Sequence, residues 1–335
     1  MANAFSKEER VAFEDILEGF NDALVLSRNV ATYSTDSTMM ERTNDIIWRP
    51  QPYIATSIDG APGTDISASY KNMTQLSVPA TIGFSKTVPW TLNAKELRDA
   101  LQENRLGDSA KQKLASDINV ALMNVASAQG TLFVKRAAAA TGFDDVAQAE
   151  AIFNEQGVPS YDRYLALSTR DYNGMASNLA GRQNMTDLPK EAYRRAYVGM
   201  IASFDTYKLD YANRVAAAGG AGLTIDTRDV AVNYYIPQAT SASVGGKINV
   251  DNRYQTVTVS STASVAAGDA FTIAAVNAVH HIAKQDTGQL KTFRVISVTN
   301  GTTMVISPPI ISNQVANDAS AQYQNCVVNT KSATS

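Results

Sequence analysis

The sequence predicts an α+β fold with an all-β domain towards its C-terminal end. Apolar residues recur at helical spacing near the N-terminus and again between Leu97 and Val125, which predicts amphipathic helices. Apolar and polar residues alternate from Leu76 to Phe84, which predicts a half-exposed strand. After Gly222 the chain becomes a series of short β-type runs separated by turn signals, and this spacing predicts a small barrel.

Composition narrows the class of protein. The 335 residues are 44% hydrophobic, which is enough for sizeable cores, and this length favours about two domains. The formal net charge of -3 argues against nucleic-acid binding through bulk charge, because phosphate binding needs clustered Lys and Arg. No apolar run has the length of a signal peptide or a membrane span, so we expect a soluble protein made without export. The single cysteine, Cys326, is expected to be a buried apolar side chain.

Residues 1–45 are predicted to form an N-terminal arm. Ser6 and Glu9 make a capping box that opens an amphipathic helix. The face opposite its apolar stripe carries Glu14, Asp15 and Glu18. This acidic face is either a solvated surface or part of a docking arm whose apolar stripe is buried on a neighbouring subunit.

Residues 46–92 are predicted to form an extended loop hairpin. Prolines between Ile46 and Ile66 exclude a helix, and Asp59-Gly60 and Pro62-Gly63 mark turns. The alternating strand from Leu76 to Phe84 then runs back beside the first part of the loop, which makes a hairpin. So extended a hairpin would have little contact with its own chain, so we expect it to contact another chain.

Residues 93–137 are predicted to contain a long helix. Asn93 and Glu96 form a second capping box, and the apolar pattern continues to about Gly130. Gly107-Asp108 interrupts the pattern, which leaves two alternatives: one long helix, or two nearly collinear helices, with a bend or a short loop at the break.

Residues 138–221 are predicted to hold short helices and strands. A helix capped by Asp145 and Gln148 runs through Phe153, and Tyr164 to Leu167 form a buried strand. A further helix is predicted from Asp187 to Met200. The small residues from Ala216 to Gly222 predict a hinge.

Residues 222–335 are predicted to be the all-β domain. Its strands are expected at Thr256–Val259, Phe271–Ile273, Phe293–Val298 and Met304–Ile306. Asn300-Gly301, between the last two runs, predicts a hairpin closed by a type I′ turn.

The sequence offers no constellation of residues for catalysis. A nucleophilic triad needs an imidazole, and the two histidines, His280 and His281, are adjacent, so a helix or strand points them in different directions. Zinc-ligand spacing and phosphate-loop spacing are also missing. We therefore expect structural or surface histidines, no enzyme activity, and no catalytic, cofactor-binding or metal-binding residue.

Three stretches carry a resemblance to a known family: MERTNDIIWRP from Met40 to Pro50, LNAKELRDA from Leu92 to Ala100, and the run from Lys247 to Lys284. The chain resembles the major coat proteins of short-tailed bacteriophages of the P22-like type. The third stretch is the most specific, because it looks like the β-barrel insertion domain peculiar to that type. The resemblance runs in order along the chain and is thin between Ala137 and Arg214.

The resemblance implies a Hong Kong ninety-seven-like (HK97-like) phage capsid fold. Residues 1–45 would be its N-terminal arm, 46–92 its extended loop, 93–137 the spine helix of its peripheral domain, 138–221 the first part of its axial domain, and 222–335 the inserted barrel. It further implies a major capsid protein that assembles with a scaffolding protein into an icosahedral procapsid and, after maturation, encloses double-stranded DNA. The implied partners are the chain itself in hexamers and pentamers, the scaffolding protein, a portal protein and DNA held without specific binding. Assembly would take place in the host bacterial cytoplasm and the product would be the virion capsid.

The sequence departs from the family pattern in two places. Family chains continue past the insertion domain, so we expect the C-terminal remainder of the axial and peripheral domains to be missing here. The family's insertion-domain loop is rich in acids, whereas Gln238 to Lys247 contain none. We expect Lys247 and Arg253 to meet acids on a neighbouring subunit instead.

The candidate contact residues follow from this interpretation. We expect Glu14, Asp15 and Glu18 to dock a basic scaffolding protein. The loop is expected to contact a neighbouring subunit through Tyr53, Ile58, Tyr70, Leu76 and Val78.

Two other classes of protein stay open. Another virion structural protein, such as a tail or decoration protein, would explain the barrel but not the arm, loop and spine in that order. A carbohydrate-binding β-barrel protein would need stacking aromatics, and an enzyme of that class would need paired carboxylates as well. Both tryptophans, Trp48 and Trp90, lie far upstream of the barrel.

Overall fold

The computed structural model describes a mixed α/β chain whose residues cluster into two units. The described residues are 26–31, 46–58, 60, 63, 65–81, 83–89, 91, 100–135, 142–181, 198–209, 211–213, 215–219, 222–225, 234–312, 314–315 and 317–328. The first unit takes the described parts of 1–36, 83–126 and 163–213, and the second takes those of 37–82, 127–162 and 214–335. The two predicted capping boxes, Ser6 with Glu9 and Asn93 with Glu96, lie outside the described residues.

Four α-helices and twelve strands are numbered here in chain order within the described residues. The helices are α1 (Ala100–Gln129), α2 (Phe143–Glu155), α3 (Thr169–Ala180) and α4 (Asp318–Gln322). The first strands are β1 (Ile46–Pro50), β2 (Ser77–Thr81), β3 (Tyr164–Ser168), β4 (Met200–Ile201), β5 (Phe204–Leu209) and β6 (Thr240–Ser243). The remaining strands are β7 (Gly246–Asn249), β8 (Gln255–Thr258), β9 (Ala270–Val279), β10 (Asp286–Val298), β11 (Thr303–Ser307) and β12 (Cys326–Val328). Single 3-10 turns lie at Ser27–Asn29 and Ser67–Ser69.

The long helix α1 is continuous. Of the two alternatives at Gly107-Asp108, a single long helix is confirmed, because the helix passes through both residues without interruption. A glycine inside a helix costs only about 1 kcal/mol relative to alanine, so one such residue does not end thirty residues of helix. In the same unit, the backbone N–H of Leu26 donates to Oδ1 of Asn119 on α1 at 3.2 Å.

The first unit also contains a three-stranded sheet of order β3-β5-β4, in which β3 and β5 are parallel. The strand predicted at Tyr164–Leu167 is confirmed, but it is half-exposed and not buried. It leads directly into α3, where Ser168 caps the helix by accepting a hydrogen bond from the N–H of Asp171 at 3.2 Å. The helix predicted to end at Met200 is wrong at that end, since Met200 lies in β4; residues 182–197 are outside the described part of the chain.

Three antiparallel sheets organise the second unit, and one of them is the two-stranded hairpin of β6 and β7. Strands β1 and β2 pair with Arg49 opposite Val78, which confirms that the chain forms the predicted hairpin. The predicted C-terminal strands lie in one antiparallel sheet of order β12-β9-β10-β11-β8. Phe293, Ile306 and Cys326 are fully buried on this sheet, and the ring of Phe293 stacks on Phe271 with centroids 5.6 Å apart. The prediction for Cys326 is thus confirmed.

Two local predictions in this unit are wrong: the type of one turn and the capping residue of one helix. The β10–β11 hairpin forms, but neither Asn300 nor Gly301 has the positive φ of a type I′ turn. Instead Oδ1 of Asn300 accepts the N–H of Thr302 at 2.9 Å and stabilises a wider loop. Helix α2 begins at Phe143, and Asp145 is therefore its third residue, reaching back to accept the N–H of Gly142 at 3.2 Å.

The side chain of Arg294 on β10 fixes the end of α1. Its Nε donates to the carbonyl oxygen of Gly130 at 2.7 Å and its Nη1 to that of Gly268 at 2.6 Å. The guanidinium also lies over the ring of Phe133, 5.6 Å from the centroid. A cation at the C-terminal end of a helix is favoured by the helix dipole as well.

We predict that Arg294→Ala lowers the free energy of unfolding by about 2 to 4 kcal/mol, because two carbonyl oxygens lose a charged donor. Urea denaturation of the full chain followed by circular dichroism measures this. The control is Arg253→Ala, whose ion pair is partly exposed and should contribute less than about 1 kcal/mol. Equal losses in the two variants would contradict this role for Arg294.

Candidate subunit-contact surfaces

The loop between β1 and β2, residues 51–76 and here called the contact loop, exposes several large apolar side chains. Tyr70 is 80% exposed, Tyr53 60% and Ile58 44%. Met73 and Ile66 are exposed on the same loop. Clustered apolar surface of this kind marks sites where a soluble protein meets a partner, and tyrosine is among the residues enriched at protein interfaces.

The C-terminal end of the contact loop is held by hydrogen bonds to the segment around α4. The N–H of Thr74 donates to Oε1 of Gln322 at 2.9 Å. The carbonyl oxygen of Thr74 accepts from Oη of Tyr323 at 2.8 Å and from Nε2 of Gln322 at 3.3 Å. The N–H of Asn72 donates to Oδ2 of Asp318 at 3.3 Å. Side chains therefore satisfy the loop backbone where no neighbouring strand does.

Leu76 is the apolar part of the same anchor. It is 3% exposed and packs with Ile311 and Tyr323, with Ile54 and Tyr235 at the edge of the cluster. Of the five loop residues expected at a subunit contact, Leu76 is thus buried in its own chain and Val78 is half-buried on β2. Tyr53, Ile58 and Tyr70 are the three that present exposed surface.

We predict that Leu76→Ala lowers the free energy of unfolding by about 2 to 5 kcal/mol, because it leaves a cavity in a closed cluster. The matched control is Leu290→Ala, since Leu290 is 44% exposed on β10 and surface substitutions rarely cost more than about 0.5 kcal/mol. Urea denaturation of both full-length variants gives the comparison. A Leu76 variant as stable as the Leu290 variant would show that the loop end is not anchored by this cluster.

The second surface is the hairpin of β6 and β7, here called the contact hairpin. Val244 at its tip is fully exposed, and Ile248 and Lys247 are exposed on β7. Asn252 fixes its base: Oδ1 accepts the N–H of Gln238 and the hydroxyl of Tyr235, both at 3.0 Å, and Nδ2 donates to the carbonyl oxygen of Gln238 at 2.9 Å.

Arg253, the other basic residue expected at a contact, is paired within its own chain. Its Nη2 donates to Oδ2 of Asp251 at 2.7 Å and its Nε to Oδ1 at 2.9 Å. Burial opposes the charge of Asp251, but hydrogen bonds and the charge of Arg253 outweigh it and lower the pKa of the carboxyl. Lys247, the other expected contact cation, makes no ion pair with a described residue.

The described residues contain no group of three or more His, Cys, Asp and Glu side chains that could hold a metal ion. His280 and His281 lie in the turn between β9 and β10, where Nδ1 of His280 accepts the N–H of Ala283 at 3.1 Å. The thiol of Cys326 is fully buried, and burial raises its pKa to about 12. Among the described helices, none has the length and hydropathy for a bilayer crossing.

The acids expected to dock a scaffolding protein, Glu14, Asp15 and Glu18, lie outside the described residues.

The sequence patterns did not predict the hydrogen bonds between the contact loop and the segment around α4, or those that Asn252 makes at the base of the contact hairpin. Asn317 is a capping residue, with Oδ1 accepting the N–H of Ala319 at 2.9 Å, and Asn317-Asp318 was the available signal for α4. No local pattern predicts the partners of Asn252, because Tyr235 and Gln238 lie in a separate segment.

Comparison with known proteins gives one family model over the whole chain and likenesses to two solved structures. The family model described as P22 coat protein, gene protein 5, matches residues 1–335. The solved structure of the CUS-3 coat protein I-domain is 38% identical, over 33% of this chain and 90% of that one, with a TM-score of 0.23. The capsid structure of the cyanophage P-SCSP1u is 12% identical, over 91% of this chain and 94% of that one, with a TM-score of 0.30.

Proposed function

The chain belongs to the P22 coat protein family, and from that premise we propose how this major capsid protein builds its shell. As a coat protein it associates with copies of itself and is located in the virion capsid. Our proposal is that it assembles with a scaffolding protein and a portal protein into an icosahedral procapsid of hexamers and pentamers in the host cytoplasm. After maturation the shell encloses double-stranded DNA, and the chain acts as a structural subunit without enzyme activity.

The contact loop is the observation that supports this proposal most directly. Tyr53, Ile58 and Tyr70 are exposed on the loop, while its C-terminal end is held in place by Leu76 and by the backbone of Thr74. A loop that is fixed at one end and exposes apolar side chains is suited to a contact with another subunit. Many such contacts act together in a shell, so each one can be weak.

An HK97-like fold with an inserted barrel is part of the proposal. The order of elements supports it: a loop hairpin, the long helix α1, a small sheet beside α3, and then a five-stranded sheet with its own apolar core. In this arrangement α1 would be the spine helix, and the five-stranded sheet would belong to the insertion domain. Val78 on β2 would lie at the edge of the loop contact, and Leu76 would position it from within.

The contact hairpin would bridge neighbouring capsomers. Its exposed Lys247 has no acid within the stretch 238–247, so we propose that Lys247 pairs with acids of another subunit. Arg253 would help from the base of the hairpin, where Asp251 holds it in place. Complementary charge of this kind sets the register of a contact more than its strength.

The net charge of -3 is consistent with a shell wall that does not attract DNA strongly. Strong attraction would need clustered Lys and Arg and would hinder the movement of the genome during packaging. We therefore propose that the enclosed DNA is held without specific binding.

We predict that Tyr53→Ser with Tyr70→Ser leaves the subunit folded but raises the concentration needed for shell assembly at least about tenfold. Loss of one or two interface aromatics costs upwards of about 1 kcal/mol each, and 1.4 kcal/mol corresponds to about tenfold. Electron microscopy and sedimentation of the chain assembled with its scaffold measure the effect. Tyr161→Ser is the control, because Tyr161 is 73% exposed outside the contact loop; an unchanged assembly threshold in the loop variant would refute the proposal.

We predict that reversing Glu14, Asp15 or Glu18 to Lys weakens scaffolding-protein binding at low salt, on the hypothesis that the partner is basic. The difference from the unmodified chain should vanish as salt rises, because screening removes the attraction. Binding is measured by titration at several salt concentrations. Asp108→Lys, at an exposed acid on α1, is the control, and arm variants that behave like it would end the hypothesis.

A further inference from the structure

The turn between β9 and β10, residues 280–285 and here called the histidine turn, holds the C-terminal end of α2. The N–H of His281 donates to the carbonyl oxygen of Gln156 at 3.3 Å. From β10, Nζ of Lys291 donates to Oε1 of the same glutamine at 3.2 Å. Two elements of the sheet therefore meet one residue at the helix end.

The helix end is shaped to receive this turn. The N–H of Val158 donates to the carbonyl oxygen of Phe153 and that of Gly157 to Asn154, at 2.9 and 3.0 Å. This is the Schellman arrangement, in which the residue after the cap takes a left-handed conformation, and Gly157 has φ +77°. The ring of His280 approaches so closely that a Cβ at Gly157 would lie 2.9 Å from its Cε1 and Nε2 atoms.

The position of the His280 ring depends on an unprotonated Nδ1. This nitrogen accepts the N–H of Ile282 at 3.3 Å and that of Ala283 at 3.1 Å. A protonated imidazole has two N–H donors and no acceptor. Protonation at Nδ1 would therefore place its new N–H against two backbone donors of the same turn.

The charged groups around the turn also oppose a further positive charge. His281 and Lys284 belong to the turn itself, and Lys291 lies beside it on β10, with the thiol of Cys326 on β12 near that amine. Burial, followed by Lys284, Lys291 and His280, lowers the pKa of His281. Burial also lowers the pKa of Lys284 to about 8, and its Nζ donates to the carbonyl oxygen of Gln324 at 3.1 Å.

Two acids and the end of a helix favour a positive charge near the turn. Asp286, which follows the turn, accepts a hydrogen bond from Nδ2 of Asn277 at 3.1 Å, and Glu155 is the last residue of α2. The negative end of the helix dipole also favours a nearby cation. The loss of two accepted hydrogen bonds from backbone donors outweighs that gain.

We propose that the histidine turn is a proton-sensitive clasp, which holds the end of α2 on the five-stranded sheet while Nδ1 of His280 is unprotonated and releases it on protonation. For His281, a folded-state pKa below the unfolded value means stability that is complete above the unfolded pKa and lost as pH falls towards the folded one. A test of the clasp therefore has to separate His280 from His281.

Hydrogen exchange of the full chain at pH 8.0 and 5.5 tests the clasp. After correction for intrinsic rates, we expect the protection of the Ile282, Ala283 and Gly157 amides to fall about threefold to tenfold on acidification, the equivalent of one lost hydrogen bond. The amide of Val295 in the sheet core should keep its protection. Equal or greater protection of the turn at pH 5.5 would overturn the proposal, and this measurement needs no variant.

Two substitutions locate the effect. His280→Asn keeps an oxygen acceptor near the position of Nδ1 and cannot gain a proton, so the fall in protection should be at least about halved, and His281 and Lys284 account for the remainder. His281→Gln should retain most of the fall seen in the unmodified chain. If the fall in His280→Asn is as large as in the unmodified chain, or if it disappears in His281→Gln, His280 is not the main proton-sensitive group and the proposal is wrong.

Discussion

The position of the contact loop depends on the anchor between Thr74 and the segment around α4. An extended loop gains little from its own contacts and loses conformational entropy with every ordered residue. Here the N–H and the carbonyl oxygen of Thr74 are both satisfied, by Gln322 and Tyr323, and Leu76 is buried two residues later. The outer side chains Tyr53 and Tyr70 can then remain exposed while their backbone is fixed at one end.

Within the described part of the chain, three attachments lie on the five-stranded sheet or on the segments that join its strands. Tyr323 and Ile311, between β11 and β12, hold the contact loop, Arg294 on β10 holds Gly130 after α1, and the histidine turn between β9 and β10 holds the end of α2. The core beneath them is closed, since Phe293 and Ile306 are fully buried. A rigid sheet of this kind can transmit the position of one attached segment to another, because packed cores do not deform continuously.

Local pattern was sufficient for most elements and insufficient for the contacts between them. Alternation and β-branched runs located β2 and the strands of the large sheet, because side-chain direction in a strand has a period of two. The same alternation placed Leu76 on one face but could not say whether that face met its own chain or another one. The bonds from Arg294 to Gly130 and from Gln322 to Thr74 join distant segments, so no window of sequence contains both partners. The wider loop at Asn300 shows that a dipeptide preference yields to a side-chain bond within the turn.

The three attachments differ in the chemistry that makes them. At Thr74 the loop anchor uses an apolar cluster and the amide and hydroxyl groups of Gln322 and Tyr323, which carry no charge near neutral pH. One carboxylate, that of Asp318, adds a hydrogen bond to Asn72. Arg294 keeps its charge throughout the range in which proteins fold, and its bonds to two carbonyl oxygens are equally indifferent to protons. The end of α2 instead meets His280, His281 and Lys291, and the charge of Lys284 acts on His281. A mild fall in pH would therefore act mainly on the end of α2, which could loosen from the sheet while Thr74 and Gly130 stay attached.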